Sequence, residues 1–418
     1  MLRAERSARD GARCLERQAV WNAPQCAAAS AQQSARVGRR GACRAYEPRL
    51  ERRAVPLIGV RAFTLVGALL LASGCTGSPD VVAYDARAGT AGTTGSAGSG
   101  GTPPGGGAPG DGGEPPLGEP QMLPLSGDLD VNDPTIIEED GRLYLFHTGA
   151  GISAKVSDDL LVWRSAPRVF EANPAWIAEL VPNARGLWSP DIAFFGGEYH
   201  LYYAASSFGE GRSCIGHATK ARLADPEPWL DRGSVVCSDV SSRDDPWNAI
   251  DPSVVLDADG DPWLAFGSFR SGIQLVALDA SGAGTLGEPA ALAARPDDDG
   301  AVQAASLVQH EDHYYLFVSF DYCCRGIEST HRIMVGRAAQ IGGPYLDRAE
   351  RPMLEGGGSP LVEGNERWSG PGSNALLFRD GRAYNVYHAY DVNGRGDSML
   401  RIAEVIWDAE QWPVSAGP

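Results

Sequence analysis

The chain has 418 residues, of which 43% are hydrophobic and 21% charged, with a net charge of −17. That composition excludes a wholly disordered chain and a membrane bundle. Residues 1–54 are Arg-rich, so the rest of the chain is more acidic than the total suggests. An acidic body repels phosphates, which excludes nucleic acid as a partner.

Residues 1–54 contain Arg, Ala and Gln without a sustained apolar period. They read as an extension upstream of the true translation start, with a genuine basic N-terminal region as the alternative. Cys14, Cys26 and Cys43 therefore stay outside the fold. Residues 55–75 read as a lipoprotein-type signal peptide. Arg52, Arg53 and Arg61 precede or open the apolar run AFTLVGALLLAS. A spanning helix needs about 20 residues, so this run is too short. Ala72-Ser73-Gly74-Cys75 follows it, and a basic region, an apolar run and small residues make an export signal. With its cysteine, the segment resembles a bacterial lipoprotein signal, which implies that Cys75 is lipidated and becomes the new N-terminus. An ordinary signal peptide or a buried helix are the alternatives. The expected location is the bacterial cell envelope, lipid-anchored or secreted, with the membrane touched by the lipid anchor only.

Residues 76–120 are almost all Gly, Pro, Ser, Thr and Ala. Such a stretch buries too little apolar surface to offset its chain entropy, so it reads as a disordered linker. No strand, helix or Lys accompanies its Gly runs, which excludes a phosphate-binding loop. Residues 121–418 then form one domain by size, expected to be a monomer. Its cysteines are Cys214, Cys237, Cys323 and Cys324. Export permits oxidation, and Cys214–Cys237 is a plausible disulfide. The adjacent Cys323-Cys324 lacks the spacing of a zinc site.

One pattern recurs five times in that domain: a small or acidic residue, a short apolar strand, a polar turn and an aromatic-rich strand. The copies start at Asp133, Pro190, Asp251, Gln303 and Ser373. Alternation around Asp-Gly or Gly-Gly turns predicts β-hairpins. The spacing leaves room for about four short strands per copy. An all-β chain with such a period predicts a five-bladed β-propeller, with a β-sandwich as runner-up. The first residue of each copy then faces the central funnel, where Asp133, Asp251 and Asp191 converge. Glycoside hydrolysis needs two carboxyl groups flanking the scissile bond, and a third tunes the acid. Trp163, Trp188, Trp247, Trp263 and Phe208 lie near the repeat starts and offer faces for sugars, although most aromatics are structural. No Gly-x-Ser-x-Gly elbow supports Ser-His-Asp chemistry.

The strings Asn132-Asp133-Pro134, Leu187-Trp188-Ser189-Pro190-Asp191, Ala249-Ile250-Asp251-Pro252-Ser253, Phe266-Gly267-Ser268-Phe269 and Phe320-Asp321-Tyr322-Cys323-Cys324-Arg325-Gly326 resemble glycoside hydrolase family 43. Gly370-Pro371-Gly372 and Tyr387-His388-Ala389-Tyr390-Asp391 agree. Within the family the chain is most similar to arabinan endo-1,5-α-L-arabinosidases. The resemblance implies a five-bladed propeller and inverting hydrolysis of α-1,5-linked L-arabinan, the plant cell-wall polymer, or of a related pentose polysaccharide. It implies Asp133 as general base and Asp251 as the carboxylate that tunes and orients the acid. Trp188, Asp191, Phe208 and Ser268 become substrate-binding residues. His388 becomes the residue beside a divalent cation, calcium in the family. The sequence departs from the family twice. Gln303 stands where the family has its general-acid Glu, and Ser373 stands where a histidine follows Gly-Pro-Gly. Gln cannot donate a proton at neutral pH, so a carbohydrate-binding propeller with impaired catalysis is the alternative function. A purely structural or protein-interaction propeller ranks below both.

Overall fold

The computed structural model describes residues 118–208, 212–239 and 247–418. The expectations for the Arg-rich extension, the Cys75 signal and nearly all of the linker fall outside the described residues. Strands appear where the sequence alternates. β1 (Ser126–Gly127), β2 (Thr135–Glu139), β3 (Arg142–His147), β4 (Ser153–Ser157) and β5 (Val162–Ala166) make the first sheet. The helix α1 (Ala175–Leu180) follows, then β6 (Leu187–Phe195), β7 (Glu198–Ala205), β8 (Arg212–Lys220) and β9 (Leu230–Asp239). The third sheet holds β10 (Ser253–Leu256), β11 (Pro262–Phe266), β12 (Ile273–Leu278) and β13 (Thr285–Ala293). The fourth holds β14 (Val302–His310), β15 (His313–Phe320), β16 (Arg332–Ala338) and β17 (Ser359–Val362). The fifth holds β18 (Trp368–Arg379), β19 (Arg382–Asp391), β20 (Ser398–Trp407) and β21 (Pro413–Ser415).

Strands β2–β5, β6–β9, β10–β13, β14–β17 and β18–β21 each pair in sequence order as one antiparallel blade, and β1 adds to the edge of the first by pairing in parallel with β5. Five such blades make the expected propeller. The first hairpins of three blades turn at Asp140-Gly141, Gly196-Gly197 and Asp380-Gly381 with positive φ at both residues (51° and 81°, 58° and 85°, 51° and 71°). This is the backbone of the tight turns whose twist matches paired strands. The ring is closed by the segment before β1. The Leu123 N–H reaches the Ile402 carbonyl (2.9 Å), the Leu400 N–H reaches the Leu129 carbonyl (2.8 Å), and the Glu404 N–H reaches the Gln121 carbonyl (2.9 Å). The start of the domain thus lies along β20 of the last blade.

There is no single core. Apolar residues on facing sheets form five clusters, one between each pair of neighbouring blades. Val302, Leu316 and Met334 of the fourth blade meet Ile273 and Leu275 of the third. Leu377, Val386 and Ile402 of the fifth meet Leu143, Leu145 and Trp163 of the first. Trp163 is thereby a core residue and no sugar platform. Cys214 and Cys237 sit opposite each other on β8 and β9 and are bridged.

Candidate active site

The five inner strands β2, β6, β10, β14 and β18 approach the axis through one repeated backbone device. Asp133, Ser189, Asp251, Ala304 and Ser373 all have positive φ, between 41° and 56°. In three blades the pairing register slips at this point, between Trp188 and Asp191, Gln303 and Ser306, and Gly372 and Ala375. The extra residue of such a bulge turns the strand and re-aims its side chains, and bulges gather at functional sites. These residues and those that follow them surround a narrow central channel. The expected equivalence is therefore corrected in two blades. The ring positions are Ser189 and Ala304, not Pro190 and Gln303. Gln303 lies one residue before the ring, and Asp191 lies two residues beyond it.

Asp133 is held from several sides. Its Oδ2 accepts hydrogen bonds from Asn132 Nδ2 (2.8 Å) and Thr148 Oγ1 (2.6 Å). Its backbone N–H donates to His388 Nδ1 (3.1 Å). Oδ1 is left as the basic oxygen of the carboxylate. Asp251, on the third blade, accepts the Ala304 N–H at Oδ2 (3.2 Å). Burial, and then the charge of Asp133, push its carboxyl up to about 7. Two nearby carboxylates do not both ionise freely, and here the deeper one yields.

Asp191 lines the channel and is held by donors from two other blades. Its Oδ1 accepts from Thr135 Oγ1 (2.7 Å) and its Oδ2 from the Val254 N–H (2.7 Å). Both oxygens are thus spent tying the first, second and third blades together. Burial raises it to about 6. Trp188 and Phe208 do meet, with ring centroids 4.9 Å apart, and Phe208 is 70% exposed. They form a tilted aromatic pair whose Phe208 ring is open to solvent.

Gln303 is 6% exposed and sits in a matched pair of contacts. Ser268 Oγ donates to Gln303 Oε1 (3.0 Å), and Gln303 Nε2 contacts His331 Nε2 (2.5 Å). Ser268 therefore spends its hydroxyl on Gln303. His331 is fully buried, and desolvation pushes it down to about 3, so its ring is neutral and Nε2 accepts from the amide. His331 carried no sequence signal, since it is an isolated histidine before an apolar strand.

His388 has no exposed surface. Burial lowers its ring and the Asp133 charge opposes this only in part, so it too is neutral. Nδ1 accepts the Asp133 N–H, which assigns the ring hydrogen to Nε2. That nitrogen is buried without a hydrogen-bond partner. An N–H presents no lone pair to a cation. Among the described residues no three His, Cys, Asp or Glu side chains converge as metal ligands. The ring does not itself ligate the expected calcium, and a cation beside His388 would be held through water. His388 also supports the Asp133 backbone.

A five-bladed propeller with paired carboxyl groups in its channel and a partly exposed aromatic pair on its second blade has the parts of a glycoside hydrolase. Residues 127–413 match the family model described as glycosyl hydrolases family 43. The chain is 41% identical over 288 residues to the extracellular endo-α-(1→5)-L-arabinanase 1 of Bacillus subtilis, covering 68% of this chain and 87% of that one. It is 39% identical over 304 residues to the extracellular exo-α-(1→5)-L-arabinofuranosidase ArbA of Cellvibrio japonicus, covering 68% of this chain and 86% of that one. The solved family 43 endo-arabinanase of Bacillus licheniformis superposes with a TM-score of 0.66 at 41% identity, over 70% of this chain and 99% of that one. The chain belongs to glycosyl hydrolases family 43.

Proposed function

We propose that the protein cleaves α-1,5-linked L-arabinan, or a related pentose polysaccharide, by direct attack of water with inversion at the anomeric carbon. The arrangement of Asp133 carries this reading. Its Oδ2 is fixed by two donors, so Oδ1 is free to take a proton from water. The new bond forms between that water oxygen and the anomeric carbon while the glycosidic C–O bond breaks on the opposite face, and the leaving oxygen, which Gln303 cannot protonate, takes its proton from solvent. Asp251 tunes and orients the leaving side, and the Trp188–Phe208 pair supplies a stacking face. The names of both curated relatives support this substrate class and an extracytoplasmic location. Anchoring through Cys75 belongs to the same proposal.

Gln303 favours a second reading, a propeller that binds arabinan and turns it over slowly. One amide hydrogen is committed to His331, and the other remains to hydrogen-bond the leaving oxygen. A hydrogen bond stabilises a departing alkoxide less than a full proton does. Incubation with linear arabinan, with products resolved by chromatography, separates the two readings. Oligosaccharide release by the wild type that is abolished in Asp133→Asn supports hydrolysis. Binding without release by the wild type, with release by Gln303→Glu, supports the second. Neither binding nor release refutes both.

A further inference from the structure

The channel is wired to a loop that the sequence leaves unexplained. Cys323 and Cys324, adjacent in the chain, are bridged to each other between β15 and β16. The bridge closes a small ring around the peptide joining them, with Cys324 in the left-handed region (φ 65°). The Cys324 N–H donates to the Tyr390 hydroxyl oxygen (3.2 Å). Tyr390 is buried on β19, and its hydroxyl donates to Asn132 Oδ1 (3.3 Å). The amide of Asn132 then donates from Nδ2 to Asp133 Oδ2 (2.8 Å).

We propose that Tyr390, with the bridged Cys323–Cys324 loop behind it, is a positioning residue that aims Asp133 through Asn132. This rests on the reading of Asp133 as the base. Each link has a directional reason. An Asn side chain presents either its carbonyl or its amide to a neighbour, and only one orientation gives Asp133 a donor. A hydroxyl donating to Oδ1 selects that orientation. Ser398 Oγ also reaches Oδ1 (3.0 Å), but its single hydrogen is shared with the Val131 carbonyl (2.8 Å). The Tyr390 hydroxyl also meets the Ser329 side chain, a hydroxyl that can donate to its oxygen and leave its hydrogen for Asn132. A hydroxyl rotates freely until something fixes it, and the Cys324 N–H occupies the oxygen so that the hydrogen swings towards Asn132. The relay runs from the fourth blade through the fifth to the first.

The test measures kcat and KM on linear α-1,5-arabinan and on 4-nitrophenyl α-L-arabinofuranoside. Tyr390→Phe and the double variant Cys323→Ser/Cys324→Ser are compared singly and together, in the wild-type and Gln303→Glu backgrounds. Calorimetry checks that each variant folds. Each change should lower kcat by about 5- to 30-fold, the worth of one hydrogen bond acting on a charged group, with KM within about two-fold. The combined variant should be no slower than the slower single one, because both break the same chain. If Tyr390→Phe does not fold, the cysteine variant reads the relay from its other end. A kcat within two-fold of the parent, or losses that multiply in the combined variant, overturns the relay while leaving the function intact. No turnover of either substrate in both backgrounds removes the reaction that Asp133 would serve, and overturns both.

Discussion

Replacing Gln303 by Glu changes one atom's identity at a site whose partners are already fixed. One carboxyl oxygen of a Glu there accepts from Ser268, as the amide oxygen does now. The other oxygen faces His331 Nε2, which currently accepts a hydrogen. His331 Nδ1 is buried without a partner, so the neutral ring can carry its hydrogen on Nε2 and donate it to the new carboxyl. The carboxyl's own proton is then left for the leaving oxygen. Position 303 is buried, and burial favours the protonated acid. General acid catalysis is worth about 10²–10⁴-fold. Gln303→Glu should raise kcat/KM on linear arabinan at pH 6 by at least about 10²-fold. The gain on an aryl arabinofuranoside should be much smaller, since a phenol departs without help. The assay is steady-state turnover of both substrates from pH 4 to 9. A gain below about three-fold on arabinan, or equal gains on both substrates, would refute the assignment of position 303 to the leaving side.

Other expectations follow from the same geometry. Asp133→Asn should abolish turnover while arabino-oligosaccharide affinity, measured by calorimetry, changes by less than about five-fold. Chelation with excess EDTA should lower the melting temperature and calcium should restore it, a cation beside His388 being held through water; no change on chelation would count against that cation. His147, His217 and His331 are held neutral by burial, at about 4, 3 and 3. Their unfolded forms bind protons first, so stability is complete above about pH 6.5 and is lost as pH falls through the window below it. Asp191 and Asp251, raised to about 6 and 7, act in the opposite sense between their ordinary values and neutrality. Three histidines with wider windows outweigh two carboxyls, so the melting temperature should drop on acidification from pH 6.5 to 4; a rise would reverse the argument. Expressed in a bacterial host, Cys75→Ser should move the protein from the membrane fraction to the soluble one, as seen by immunoblot.

The blades were legible because hairpins announce themselves locally. Asp140-Gly141 and Asp380-Gly381 mark turns, and alternation marks the strands on either side. Asp133 and Asp251 were legible for the same reason, each standing directly before a strand. The ring was misplaced by one residue at Pro190 and Gln303 because a bulge inserts a residue without any compositional mark. Asp191 was visible as a carboxylate near the axis, but not the Thr135 and Val254 donors that occupy it, which come from other blades. His388 was read by residue type, and type does not say which ring nitrogen carries the hydrogen. The Cys324–Tyr390–Asn132 chain joins residues from three blades, so no window of sequence contains it.

The shared left-handed turn at Asp133, Ser189, Asp251, Ala304 and Ser373 restricts what this channel can become. A positive φ is tolerated by Gly, Asn and Asp, less readily by Ser and Ala, and is strongly disfavoured for β-branched side chains. The backbone therefore acts as a filter on mutation before any chemistry is tested. Substitutions that survive there are short, and several of them carry a carboxyl or an amide. Drift at these five sockets keeps sampling acid, amide and hydroxyl, while the blades that present them stay as they are. A propeller of this kind can lose or regain a reactive group by a single codon change without renegotiating its fold.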